Sequence, residues 1–291
     1  MKRFLSFLII LLFTICPVYS SDLTDNFKLH VQESSQKYEV KKLFKSYVDT
    51  ANKYDYDKLV SFYSDNYINS DGFDNKLYFK LIKSTWETYS NIKYQFKIKN
   101  VVINGDTATV EVEEISVATN VAPDNGILKS FANNVYYLKK YNDGWKIVTD
   151  CIINERTVLA YGDAKDSLIT LNAPNQILAD TEYTASLVVI PPKNTLVIAS
   201  IGKELVTYPQ KTAKEVFRKV PDDYILERLF KSNTNNVNEY AVASIGLTKA
   251  TVQPDKKLSI KVSGLAYAMT RINVVPINKF IEEDKNENKD K

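Results

Sequence analysis

The chain has 291 residues, 38 of them basic and 35 acidic, with 44% hydrophobic and 12% aromatic side chains. That is enough apolar material for two ordinary cores. A net charge of +3 gives no electrostatic footprint for nucleic acid, which needs a strong basic excess or stripe.

Absences narrow the chemistry further. The only histidine is His30 and the only cysteines are Cys16 and Cys151. A Ser-His-Asp or Cys-His centre needs a histidine held by the fold, and a zinc or copper site needs several N or S ligands. The eight glycines are scattered one at a time, so no phosphate-cradling loop can be written from them. No cofactor and no metal are expected.

Lys2 and Arg3 precede an apolar run over residues 4–15, interrupted only by Ser6 and Thr14, followed by Val18, Tyr19 and Ser20. This is the pattern of a cleavable secretory signal over residues 1–20. The run is too short to span about 30 Å of hydrocarbon comfortably, so no stable transmembrane anchor is expected. Cys16 closes the run, but Ile15 stands where a lipid-attachment motif wants a small residue, which argues against lipid anchoring. Export to a periplasm or the medium is the expectation. Cys151 is then a lone thiol, read as buried and inert.

From residue 37 the spacing of Val40, Leu43, Phe44, Tyr47, Val48 and Ala51 predicts a long helix with one apolar stripe. Lys41, Lys42 and Lys45 belong to its wet face. Asp55 or Asp57 can cap a second helix carrying Leu59, Phe62 and Tyr63, and Asp74 can cap a third carrying Tyr78, Leu81, Ile82 and Trp86. The period then becomes two. Tyr94, Phe96 and Ile98 alternate with lysines and Gln95, and Asn104-Gly105 marks a hairpin. Ala108, Val110 and Val112 alternate with Thr109, Glu111 and Glu113 beyond it. A loop at residues 123–126 leads to a strand over residues 131–141, and Asn142-Asp143-Gly144 turns it into another over residues 145–156. Helices followed by four antiparallel strands make an α+β domain over residues 37–163.

Three segments carry a family resemblance: SYVDTANKYDYDKLVSFYSDNYINSDG at residues 46–72, INGDTATVEVE at 103–113 and DGWKIVTD at 143–150. Their order resembles the nuclear-transport-factor-2-like (NTF2-like) superfamily, with its SnoaL-like and ketosteroid-isomerase-like members. The resemblance implies a cone: a curved antiparallel sheet around a long helix, enclosing an apolar pocket. It also implies a tendency to form homodimers through the open sheet face. The superfamily includes isomerases, cyclases, dehydratases and noncatalytic binders, so the fold alone gives no function.

Laid over the isomerase pattern, Tyr47 matches the tyrosine that donates to the substrate oxygen, and Asp71 matches the aspartate that moves the proton. Gly72 follows Asp71 where those isomerases carry proline, and the second oxyanion acid finds no counterpart. The plainer readings put Tyr47 on the core stripe and Asp71 in a turn, exposed to solvent, before the third helix. Trp86, Tyr94 and Phe96 are candidate ligand-binding aromatics, with core packing as the rival role for Trp86. Trp145 has the same two readings.

The small and polar residues 162–166 read as a linker. Short strands follow over residues 167–172, 182–190, 195–201, 239–248, 258–262 and 267–275, separated by turns at Pro174, Pro191-Pro192 and Pro254. They predict an immunoglobulin-like β-sandwich over residues 167–277, with a short helix after Pro221-Asp222-Asp223. Residues 282–291 read as a disordered charged tail. The leading reading is an exported noncatalytic module. Its cone would hold an apolar small molecule or peptide, and its sandwich would dock an envelope protein. The alternatives are an isomerase, cyclase or dehydratase using Asp71 and Tyr47, or a structural protein whose cone is filled by its own aromatics.

Overall fold

The computed structural model describes residues 21–252 and 258–277. The expected signal sequence with Cys16, the Pro254 turn and the charged tail lie outside the described residues. None of the described helices is long and apolar enough to cross a membrane.

Helix α1 runs Ser21–Ala51, beginning well before residue 37 and including His30. Its apolar stripe of Val40, Phe44, Tyr47 and Ala51 is buried, while Lys41, Lys42 and Lys45 are exposed. Asp55 caps α2 (Tyr56–Val60) by accepting from the Lys58 N–H, and Asp74 caps α3 (Asn75–Thr88) by accepting from Leu77. Each cap satisfies a backbone donor that the helix itself leaves free. Helix α2 is a single turn, so Phe62 and Tyr63 fall beyond it rather than on its face.

Four long strands follow: β1 (Lys93–Asn104), β2 (Thr107–Val121), β3 (Gly126–Tyr141) and β4 (Gly144–Gly162). They pair in sequence as an antiparallel meander. Gly105 turns the first hairpin at φ +62°, a conformation that glycine adopts without a Cβ penalty. Strand β3 begins at Gly126, inside the segment expected as loop, because its pairing with β2 extends that far. One face of the meander packs on the helices. Val110, Val112, Tyr136, Leu138 and Ile147 share a buried cluster with Val40, Phe44, Leu59 and Trp86.

The second half contains β5 (Leu168–Asn172), β6 (Gln176–Leu178), β7 (Glu182–Ile190), β8 (Thr195–Leu205), β9 (Arg218–Lys219), β10 (Ile225–Lys231), β11 (Glu239–Val252) and β12 (Leu258–Val275). Strands β10, β7 and β5 form one small sheet, and β12, β11, β8 and β9 lie side by side in the other. The inward residues of both sheets meet in a second core, with Ala185, Leu187 and Val189 from β7 facing Ala199, Ala243, Ile245 and Ala268.

Two sequence expectations need correcting here. The helix expected after Pro221 is strand β10, paired in register with β7 from Ile225↔Val188 to Lys231↔Glu182. The Asp223 side chain does cap, but it accepts from Ile225 in a turn that feeds a strand. The edge of β7 pairs all seven residues of β10, whereas an isolated two-turn helix is too short to hold itself. The two strands expected over residues 258–275 are one long strand, β12, because its partner β11 runs beside it from Leu258 to Ile272, across the expected gap.

The sheet does not stop at the segment read as linker. Strand β4 continues to Gly162 and pairs with β12 from Arg156↔Thr270 to Gly162↔Gly264. The order β1-β2-β3-β4-β12-β11-β8-β9 is therefore one continuous sheet with two separate cores on it. The chain leaves this sheet at Gly162 (φ +54°), where a Cβ would lie 2.3 Å from the Ser263 carbonyl oxygen.

Candidate functional site

Helices and meander enclose a cavity of about 120 Å³ lined by Tyr47, Ala51, Leu59, Tyr78, Ile82, Trp86, Tyr94, Phe96, Glu114 and Tyr136. Engineered apolar cavities of about 150 Å³ admit benzene, so the space suits a ring-sized group. Three helices and three strands build it, α2 contributing Leu59. Helix α1 contributes Tyr47 and Ala51 one turn apart, α3 contributes Tyr78, Ile82 and Trp86 at i, i+4 and i+8, and the strands contribute alternate residues of their inner face.

Tyr47, Trp86, Tyr94 and Phe96, singled out from sequence, thus meet around one space. The Tyr47 ring lies 5.5 Å from that of Phe96, and its hydroxyl shares a 2.8 Å hydrogen bond with the Tyr63 hydroxyl. Burial pushes the Tyr47 phenol far above its ordinary range. The Trp86 indole N–H donates to the Tyr94 hydroxyl at 3.1 Å. Burial raises the Tyr94 phenol to about 12. Its proton is available to a neighbour, because the indole has taken the acceptor side. Trp145 is buried in the same core and donates from Nε1 to Glu39, outside the cavity lining.

The structure brings Asp71 elsewhere. Its carboxylate is 5% exposed and meets Arg271 of β12 at 2.5 Å. The Asn238 side-chain amide donates to the same oxygen at 2.7 Å. Asp71 is neither the exposed turn residue of the plainer reading nor part of the cavity wall around Tyr47. Its loop does keep turn chemistry, with the Asn69 side chain accepting from the Asp71 and Phe73 N–H groups.

The polar group that does face the cavity is Glu114. Its Oε1 accepts from the Tyr136 hydroxyl at 2.6 Å and from the Asn134 amide at 2.9 Å. Among the described residues Oε2 has no hydrogen-bond partner. Burial outweighs those two donors and pushes the Glu114 carboxyl up to about 7. A carboxyl at that value holds or releases a proton near neutrality. The sequence carried a signal for it. Glu114 continues the inward phase of Val110 and Val112, while Glu111 and Glu113 point to solvent, yet the expected strand stopped at Glu113.

A second buried acid, Asp150, accepts from the Tyr67 hydroxyl. Burial raises it to about 6, against the pull of that hydrogen bond. Glu155 accepts from Tyr240 of β11 at 3.0 Å, and burial raises it too. Asp71, Asp150 and Glu155 all interact electrostatically with Arg271, so this polar cluster joins the first half of the chain to β11 and β12.

Scans against protein-family models and searches of curated proteins found no match. Solved structures do match by shape. An NTF2-like protein with a cystatin-like fold from Novosphingobium aromaticivorans is 18% identical, covers 45% of this chain and 88% of its own, and has a TM-score of 0.38. A dehydratase-type NTF2-like family protein from Streptomyces avermitilis is 13% identical over 41% of this chain and 96% of its own, with a TM-score of 0.37. Bd1075 from Bdellovibrio bacteriovorus is 17% identical over 40% of this chain, with a TM-score of 0.35, and the match spans 39% of its length. NTF2-like proteins are thus among the structural neighbours of this chain, over about 40% of it.

Proposed function

We propose that this chain is a binding protein whose cone cavity holds a compact, largely apolar small molecule bearing one hydrogen-bonding group. The observation that carries the reading is Glu114 in the lining of an aromatic-walled cavity, its Oε2 without a hydrogen-bond partner among the described residues. Aromatic walls supply non-directional affinity, and one convergent polar group fixes orientation. A volume near 120 Å³ favours a small molecule over a peptide. The signal-like residues 1–20 support export, and the two-sheet second half supports a docking role toward an envelope protein. Each role is assigned to its own core, the two being joined by the pairing of β4 with β12 and by the turn over residues 163–167. Native mass spectrometry of the protein from its own host tests the reading. A stoichiometric small molecule that is lost in Glu114→Gln or Trp86→Ala is the expected result.

Glu114 also favours a second reading, proton transfer of the isomerase or dehydratase type. A carboxyl near pH 7 beside a phenol donor is suited to moving a proton between carbons. In this version Glu114 is the base, and Asp71, held by Arg271, is its rival. Deuterium wash-in on the bound ligand separates the readings. The binder gives no exchange. Exchange lost in Glu114→Gln but kept in Asp71→Asn makes the chain an enzyme with Glu114 as its base.

A further inference from the structure

We propose that the groove on the outer face of the cone sheet is a second binding site, for an anionic amphiphile with a single apolar chain and a carboxylate head. The groove encloses about 470 Å³, within the roughly 300–1,000 Å³ of small-molecule sites. It lies on the face of β2, β3 and β4 opposite the helices. Cross-strand pairing sets its floor in rows: Ile115 beside Phe131 beside Arg156, then Val117 beside Lys129 beside Val158.

The second half supplies the far wall. After the turn at Gly162, the 3-10 turn Asp163–Asp166 carries the chain over this face, so that Leu168 and Ile169 of β5 close the groove. A solvated face of an antiparallel sheet is normally polar. Here Ile115 and Phe131 are each 37% exposed and Leu168 is 58% exposed. Contiguous apolar surface of this kind marks a site of interaction.

Charge selects the occupant. Lys129, Arg156 and Lys165 are exposed around the apolar lane, and among the described residues no acidic residue lines it. Among the described residues Lys129 and Arg156 have no ion pair or side-chain hydrogen bond, and Lys165 meets only the Asn125 carbonyl oxygen, at 3.4 Å. Asp163, the acid at the turn, is already held by Lys249 at 2.5 Å. Uncompensated cations on an apolar lane fit an acidic head with a hydrocarbon tail. An arginine in the floor row beside Phe131 matches a carboxylate in particular, because its fork binds both oxygens. The cone cavity, lined by Glu114 and by no cation among the described residues, selects the opposite chemistry.

The test is titration of the full chain with dodecanoate and, separately, with dodecanol. Calorimetry gives affinity, and backbone amide shifts give location. Dodecanoate is expected to move the amides of Val117, Ser130, Val158 and Leu168. Replacing its head by the alcohol should weaken binding about tenfold, as should Arg156→Gln, the scale of one charged hydrogen bond. Lys129→Gln combined with Arg156→Gln should weaken it further. Both positions are exposed, so the melting curve checks that the variants fold. Three outcomes overturn the proposal: no binding by the folded wild type, equal binding of acid and alcohol, or shifts centred on the Trp86 indole instead of the groove. A dimer that dissociates in Phe131→Ser also overturns it, since a second copy would then cover the lane.

Discussion

The Asp71 carboxylate and the Arg271 guanidinium are 200 residues apart in the chain and 2.5 Å apart in the fold. The Arg271 side chain is fully buried. Burial works against its charge, but the Asp71 carboxylate outweighs it and holds Arg271 well above the ordinary arginine range. Arg271 also donates from Nε to Asn273, while its Nη1 is buried without a partner among the described residues. A buried ion pair contributes little net stability, but losing one partner strands the other charge. The pair locks the loop before α3 onto β12, alongside the β4–β12 pairing.

Asp71→Asn should therefore lower stability by about 3 kcal/mol, toward the 3–5 kcal/mol typical of a broken buried pair. A turn residue would cost about 1 kcal/mol. Urea denaturation measures the difference, and a loss near 1 kcal/mol would refute the interlocking role.

Glu114 makes stability depend on pH with a definite sign. Its folded pKa of about 7 exceeds the ordinary glutamate value of 4.5, so between those values the folded state binds more protons than the unfolded state. Its contribution falls as pH rises through that window and reaches its full cost above about pH 7. At about 1.36 kcal/mol for each pH unit of that window, the cost is at most about 3.4 kcal/mol. Glu114→Gln, compared with wild type at pH 5 and pH 8, should gain stability relative to wild type at the higher pH. Asp150 shares this sign, so the variant difference, rather than the wild-type curve, isolates Glu114.

Tyr136→Phe removes a hydrogen bond that favours the Glu114 carboxylate. The Glu114 pKa should rise above its wild-type value. Carboxyl-carbon NMR titration reads this directly, and a downward shift would mean that the phenol stabilises the neutral acid.

Gly162→Ala places a methyl group against the Ser263 carbonyl oxygen in a backbone conformation with φ +54°. The expected loss is about 3 kcal/mol, the upper range for a strained backbone position. Thermal melting checks it. Little or no change would mean that the chain can leave β4 by another route.

Local signals in the sequence determined much of the first half. The helical stripe of Val40, Phe44, Tyr47 and Ala51, the caps Asp55 and Asp74, and the turns near Gly105 and Gly144 act within a few residues, so each is legible where it stands. The aromatics Trp86, Tyr94 and Phe96 were legible for the same reason, since their period puts them on inward faces that the fold then brings together. Tertiary structure decided the rest. Residues 225–231 carry a local helix signal, and only the open edge of β7 makes them a strand. Glu114 had the right phase, but its proton affinity depends on Tyr136, Asn134 and the closed cavity around it. The role of Asp71 depended on Arg271, a partner that no local pattern names. Backbone periodicity is a short-range property, whereas ion pairing, desolvation and sheet order are set by whichever distant segments the packed chain brings into contact.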